Sequence, residues 1–79
     1  MNLPPSARQL QVLRAIRRHH QAKGFPISIR ELGDVLGIRS TNGVADHLEA
    51  LERKGLVTRE RNRARTLQIT TAGHREIAA

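Results

Sequence analysis

The sequence predicts a small, mainly α-helical domain with one short β-hairpin near its C-terminal end. Three segments repeat apolar residues at helical spacing, and each begins with a capping residue and ends at a glycine. Two β-favouring segments follow, separated by a five-residue run that is rich in arginine. The 79 residues leave room for one modest core, because a domain of this size buries only about 60% of the surface that its unfolded chain exposes.

The first predicted helix runs from Ala7 to about Lys23. Ser6 precedes it as a capping residue, and Gln9 stands three positions later, as in a capping box. Its apolar residues are Leu10, Val12, Leu13, Ala15 and Ile16. His20 lies on the same side and is expected to be partly buried.

Gly24 is expected to end this helix in the left-handed conformation, and an extended stretch, Phe25-Pro26-Ile27, follows. That stretch is compatible with a short strand, and Phe25 is expected in the core.

Two more helices follow closely. Ser28 and Glu31 form a second capping box before a helix of about eight residues that Gly37 ends. Its apolar stripe is Ile29, Leu32, Val35 and Leu36. Ser40 is the expected cap of the third helix, and Gly55 is its expected end. The apolar residues of that helix are Val44, Leu48 and Leu51, with Ile38 as a buried anchor before it.

The C-terminal part favours β-structure first. Residues 56–60 and 66–70 are predicted strands, and residues 61–65 form the basic tip of a hairpin. We therefore expect the domain to cover residues 1–70, with an antiparallel sheet of two or three strands. Residues 71–79 are either a tail or a short fourth helix that starts at the cap Thr71 and is weakened by Gly73.

The second and third helices have the pattern of a helix-turn-helix, in which the leading end of the second helix of the unit enters the major groove of DNA. Gly33 supplies a small residue where the helices approach, and Gly37 lies in a turn that is about one residue longer than the minimum. A charge-rich helical hairpin of an unrelated bundle would look similar. The candidate contact residues at this end are Arg39, Ser40, Thr41, Asn42, Gly43, Ala45 and Asp46.

These residue types suit DNA. Asn can make a bidentate contact with adenine, Ser and Thr can reach phosphates or bases, and Ala can touch a thymine methyl group. For Ser40 and Asn42 the alternative is helix capping, which favours the same residue types.

The hairpin tip is strongly basic. It carries Arg59, Arg61, Arg63 and Arg65 against one acid, Glu60. We interpret it as a wing that follows the DNA backbone or enters the minor groove, the alternative being a solvated charged face. With Phe25 as the only Phe, Tyr or Trp, stacking on single-stranded bases is disfavoured, and a duplex is the expected partner.

The overall composition agrees with this partner. The net charge is +7, and the Lys and Arg residues number 14, mostly arginine, whose planar fork matches phosphate. The absence of cysteine excludes disulfides and thiolate metal sites. We find no signal peptide and no apolar run of the roughly 20 residues that span a bilayer, and expect a cytoplasmic, nucleoid-associated protein without membrane contact.

Catalysis, cofactors and metal sites are not expected. His19 and His20 are neighbours that point to different sides of a helix, and His47 and His74 lack the spacing of ligands. The serines have capping roles, and the glycine patterns of nucleotide-binding loops are absent.

Three stretches, ARQLQVLRAIRRHH, GFPISIRELGDVLGIRSTNGVADHLEALERKGLV and RARTLQI, resemble the N-terminal winged-helix domain of LexA repressors. The resemblance covers about Ser6 to Ile69. It implies a winged helix-turn-helix that reads a short operator half-site, with residues 40–46 in the place of the base-contacting stretch. The family often has Pro, Ala and two Glu where this chain has Thr41, Gly43, Ala45 and Asp46, so a different operator is expected.

LexA proteins also carry a C-terminal self-cleaving peptidase domain that dimerises them, and the resemblance transfers neither activity to these 79 residues. We therefore expect a monomer in free solution, with pairing of two copies reserved for DNA. The expected function is that of a sequence-specific double-stranded DNA-binding regulator, a repressor by resemblance. The alternatives are a protein-interaction adaptor or antirepressor, and a module for RNA binding or replication initiation.

Overall fold

The chain, described over residues 4–78 in a computed structural model, forms four helices and one two-stranded antiparallel sheet in that range. The helices are α1 (Ala7–Lys23), α2 (Ile29–Leu36), α3 (Thr41–Arg53) and α4 (Thr71–Glu76), and the strands are β1 (Val57–Thr58) and β2 (Gln68–Ile69). This is the predicted mainly α-helical architecture of a winged helix-turn-helix.

The predicted capping boxes are both formed. The Ser6 hydroxyl accepts from the Gln9 backbone N–H at 3.1 Å, and the Gln9 side chain accepts from the Ser6 N–H at 2.9 Å. Ser28 and Glu31 repeat this exchange at the start of α2, at 3.1 and 3.0 Å. The bounds predicted for α1 are confirmed. They could be predicted because each capping interaction joins residues within one turn of the chain.

Gly33 lets α2 and α3 approach closely. A Cβ atom at this buried position would lie 3.0 Å from the Ile38 carbonyl oxygen and 3.2 Å from Val44 Cγ2. Gly37 then ends α2 with φ of 72°, in the left-handed region that favours glycine. The helix-turn-helix therefore has the small residue and the glycine turn that its spacing predicted.

The sheet is shorter than predicted. Val57 pairs with Ile69 and Thr58 with Gln68. Beyond these two pairs, hydrogen bonds of the Thr66 side chain take the place of backbone pairing between the strands. The Thr66 hydroxyl accepts from the Glu60 N–H at 2.8 Å and lies within hydrogen-bonding distance of the Glu60 carbonyl oxygen. Asn62 and Arg65 have positive φ, which ends extended pairing. The stretch Phe25-Pro26-Ile27 is not a strand, although Ile27 is buried.

One hydrophobic core joins all the elements. Its buried members are Val12, Leu13, Ile16, Ile27, Leu32, Val44, Leu48, Leu51, Leu56, Val57, Leu67 and Ile77. Ile77, which follows α4, places the C-terminal segment on this core, and Arg17 Nη1 donates to the Ile77 carbonyl oxygen at 3.1 Å. Of the two expectations for residues 71–79, the short helix is the one observed.

The cap of α4 is Thr70, whereas Thr71 was predicted. The Thr70 hydroxyl accepts from the Gly73 N–H at 3.1 Å and donates to the Gly55 carbonyl oxygen at 2.7 Å. Gly73 itself is buried, and a Cβ atom there would overlap the Leu56 carbonyl oxygen. The glycine that weakens the helix is thus the residue that lets it dock.

Three predicted core positions were wrong. Val35 is 62% exposed because it lies roughly 160° around α2 from Gly33, where α3 packs. Phe25 is 42% exposed and receives the edge of the His19 ring, with centroids 5.4 Å apart. His19, with a side chain 13% exposed, is partly buried and contacts the Phe25 ring, whereas its neighbour His20 is exposed.

Candidate nucleic-acid interface

The leading end of α3 presents a polar surface. Arg39, Ser40, Thr41, Asn42 and Asp46 are exposed, and Gly43 and Ala45 are half-buried. The Ser40 hydroxyl accepts from the backbone N–H groups of Asn42 and Gly43, at 3.2 and 3.4 Å. Ser40 is therefore the cap that its residue type predicted, whatever else it contacts.

Asn42 differs from Ser40. Its backbone N–H takes part in the cap, whereas no hydrogen bond within residues 4–78 engages its side-chain amide. An exposed amide with both donor and acceptor free can bind a base edge without first giving up an internal bond.

Gly43 faces the turn as well as the surface. A Cβ atom on this residue would lie 3.1 Å from Ile38 Cγ2. Gly43 thus affects the surface by its small size, because a larger side chain would press on the residue that anchors α3 to α2.

A groove of about 430 Å³ separates α2 from the start of α3. Its lining includes Arg30, Asp34, Arg39, Ser40 and Thr41. Arg30 was missed by the sequence reasoning, because it lies in the first turn of α2, at the other end of that helix from the turn, and only the fold brings it to the groove. Two arginines beside the N-terminal end of α3 make this groove attractive to phosphate.

The arginines of the hairpin fall into two pairs. We call residues 59–67, between β1 and β2, the wing. Arg61 is exposed and Arg63 has a side chain 73% exposed, with an ion pair of 3.1 Å to its neighbour Glu60. These two side chains project into solvent and are available to a partner.

Arg59 and Arg65 each pair with an acid of another element, although the Arg65 side chain remains 43% exposed. The Arg59 side chain is 11% exposed, and its Nε donates to Glu52 Oε1 at 2.7 Å. Arg65 donates from Nη1 and Nη2 to the two carboxylate oxygens of Glu31, at 2.9 and 3.2 Å. The sequence analysis grouped Arg59 and Arg65 with Arg61 and Arg63 in one basic wing. Their ion pairs with Glu52 and Glu31 distinguish them from the other two arginines.

Glu31 is held as a carboxylate by its neighbours. The hydrogen bond from Arg65, followed by the bond from the Ser28 N–H, lowers the pKa of Glu31 from an ordinary 4.5 to about 2. The same carboxylate therefore caps α2 and pairs with the wing.

Residues 4–78 hold no cluster of three or more His, Asp or Glu side chains arranged to bind a metal ion. Over the same range, none of the helices has the length and apolar character needed to cross a membrane.

Residues 3–66 match the family model of the LexA DNA-binding domain. This chain belongs to that family. The LexA repressor of Anaeromyxobacter sp. (strain Fw109-5) is 56% identical over 70 residues, which are 89% of this chain and 30% of that protein. The LexA repressor of Sorangium cellulosum (strain So ce56) is 56% identical over 61 residues, which are 77% of this chain and 26% of that protein.

The LexA repressor of Myxococcus xanthus (strain DK1622) is 49% identical over 63 residues, which are 80% of this chain and 28% of that protein. The chain thus spans less than a third of the length of these curated relatives. It carries their LexA-type DNA-binding domain, and α4 lies beyond the residues that the family model matches.

Proposed function

We propose that this LexA-type domain reads one half-site of an operator in double-stranded DNA and serves transcriptional repression. The supporting observation is the exposed leading end of α3, with a free Asn42 amide beside an arginine-lined groove. In a helix-turn-helix this end enters the major groove. The repressors that carry similar domains support a regulatory role.

Within this proposal the residues of α3 divide by chemistry. Asn42 reads a base edge through its amide, Ala45 contacts a thymine methyl group, and Asp46 accepts from a cytosine amino group. Ser40 and Thr41, with Arg39, meet phosphates at the start of the helix. Gly43 keeps the surface flat enough for the groove wall.

The wing contributes through its projecting arginines. Arg61 and Arg63 bind the flanking backbone or the minor groove, where positive charge acts without regard to sequence. Arg59, which forms an ion pair with Glu52, supports the base of the wing. With DNA as its partner, the domain is proposed to act at the nucleoid in the cytoplasm. Repression then requires that its half-site overlap a promoter.

The experiment begins with selection of bound duplexes from a random pool, followed by affinity measurement on the selected and a scrambled duplex. We predict that Asn42→Ala reduces discrimination at one or two base pairs by roughly 1 to 3 kcal/mol and leaves binding to the scrambled duplex unchanged. Gln21→Ala on α1 is the control, an exposed amide away from α3.

Four results would argue against parts of the proposal. No enrichment from the pool would exclude sequence-specific reading, and equal weakening on every duplex would make Asn42 a phosphate contact. Salt-insensitive, weak DNA binding beside a tight protein complex would favour an adaptor, and preference for RNA over duplex DNA would favour an RNA-binding module.

A further inference from the structure

The wing is attached to α2 by one side-chain cluster. We call Phe25, Glu31 and Arg65 the wing clamp. The Arg65 guanidinium donates twice to Glu31, donates to the Pro26 carbonyl oxygen at 3.1 Å, and lies 4.8 Å from the centroid of the Phe25 ring. A bidentate ion pair, a backbone contact and a cation–π contact thus meet on one side chain.

The cluster is supported from α1. The His19 ring meets the Phe25 ring edge-on, at an interplanar angle of 69°, and His19 Nε2 lies 3.9 Å from Glu31 Oε1. These contacts explain why a large aromatic ring stays at the surface, since it forms the platform on which Arg65 rests.

Arg65 adopts an unfavourable backbone conformation to make these contacts. Its φ is 60°, in the left-handed region that few residues other than Gly, Asn and Asp occupy. Such a residue persists where surrounding interactions hold it, and at Arg65 those interactions are the bonds to Glu31 and Pro26.

Other contacts hold the base of the wing. Arg59 pairs with Glu52, the Thr66 hydroxyl bonds to the Glu60 backbone, and Leu67 is buried in the core. The strands pair over two residues each, and a groove of about 460 Å³ separates the wing from residues 27–29. Within residues 61–65, Arg65 is the residue that bonds to α2 and to Pro26, so the direction of Arg61 and Arg63 depends in part on its contacts.

We propose that the wing clamp positions the wing for DNA, so that Phe25, Glu31 and Arg65 act on binding through Arg61 and Arg63 and do not touch DNA themselves. The proposal rests on the proposed DNA-binding function. In this proposal Glu31, an acid, and Phe25, an exposed aromatic residue, are positioning residues for the basic wing.

The sign of one substitution tests this. Glu31→Gln keeps a side chain that can complete the capping box but removes the charged, bidentate partner of Arg65. Removal of a negative charge alone tightens DNA binding, whereas a loosened wing weakens it. If the wing then takes the binding orientation about a fifth of the time, the apparent Kd rises about fivefold. Glu76→Gln, an exposed acid in α4 away from the proposed interface, is the control and leaves the Kd unchanged or lower.

Phe25→Ala repeats the test without any change in charge. It removes the platform under Arg65, and we expect weaker binding of selected and scrambled duplexes by the same factor, because α3 is untouched. Val35→Ala, the other exposed large apolar residue among residues 4–78, is its control and leaves both affinities unchanged.

A measurement on the free protein separates positioning from general stability. In Glu31→Gln and Phe25→Ala, the amides of residues 60–64 become more mobile in NMR relaxation while those of α3 keep their wild-type values. This measurement needs no DNA, so it tests the wing clamp even if the wild-type protein does not bind duplexes. Failure of the wild type to bind duplexes would overturn the proposed function and not the wing clamp.

Two outcomes would overturn the clamp. One is a Glu31→Gln variant that binds DNA as tightly as the wild type with an unchanged wing. The other concerns Arg65→Gln and the slope of the logarithm of the DNA-binding constant against the logarithm of the salt concentration. If Arg65→Gln makes this slope shallower by about 0.9, and equally so in the Glu31→Gln background, Arg65 is a phosphate contact.

Discussion

Glu31 takes part in two structures at once, the cap of α2 and the wing clamp. Its Oε1 accepts from both the Ser28 N–H and Arg65 Nη1. Both donors favour the ionised carboxylate, and this is the physical reason for its lowered pKa. A single side chain thereby links helix initiation to the direction of the wing.

The pKa of Glu31 has a consequence for stability. Because the folded pKa is about 2 and the ordinary value is 4.5, the contribution of Glu31 to stability is complete above pH 4.5 and is lost as the pH falls toward about 2. We predict that the difference in unfolding free energy between wild type and Glu31→Gln shrinks over this interval. Urea unfolding across it gives the measurement.

Glu49→Gln, which removes an exposed acid of α3, is the control for loss of a surface carboxylate away from the wing clamp. A Glu31→Gln difference that does not change with pH would show that the ion pair contributes nothing that depends on ionisation.

At the scale of elements, α4 depends on a close approach. Gly73 is buried against the Leu56 carbonyl oxygen and Ile69, and Thr70 ties the start of the helix to Gly55. Helix propensity and packing therefore make opposite demands on one position.

We predict that Gly73→Ala destabilises the domain by roughly 1 to 3 kcal/mol, through overpacking against the Leu56 backbone. Propensity alone predicts a gain of about 1 kcal/mol, so the sign decides between the two effects. Thermal or urea unfolding measures it, and His74→Ala, an exposed substitution in the same helix, should be close to neutral. A stabilised Gly73→Ala variant would mean that α4 can move away from Leu56 and β2 without cost.

The wing allows a second prediction at this scale. The logarithm of the DNA-binding constant falls linearly with the logarithm of the salt concentration. We expect Arg61→Ala and Arg63→Ala each to make this slope shallower by about 0.9, because each projecting side chain neutralises one phosphate. Arg18→Ala, on the exposed side of α1, is the control for loss of a positive charge away from the wing. Slopes that stay at the wild-type value in folded variants would remove the wing tip from the interface.

At the scale of the whole molecule, the exposed apolar surface is small. Among residues 4–78 the large apolar residues that are exposed are Phe25 and Val35, and Phe25 is covered on one side by Arg65. A stable protein interface buries roughly 1,200 to 2,000 Å², far more than two side chains supply.

We therefore predict that these 79 residues are monomeric at micromolar concentration, as sedimentation will measure. Affinity for DNA should be modest on a duplex with one half-site, and should rise on an inverted repeat only where bound copies touch. A tight dimer in the absence of DNA would contradict this, and Val35 would be the first residue to replace.

Local chemistry within the sequence determined the first two helices and their ends. Each capping box joins residues three apart, and Gly24 and Gly37 take the left-handed conformation that their residue type favours. The basic character of the wing, the exposed end of α3 and the resemblance to LexA domains were also present in the residues themselves. These features need no knowledge of which elements meet.

The tertiary structure decided which side chains pair with acids of other elements. Arg59 and Arg65 look like Arg61 and Arg63 in the sequence, yet they pair with acids 7 and 34 residues away. The exposure of Phe25 and the need for Gly73 likewise depend on contacts with distant elements. A pattern read along the chain records spacing within one helix or strand, whereas pairing between charges depends on where separate elements pack, and only the folded molecule supplies that arrangement.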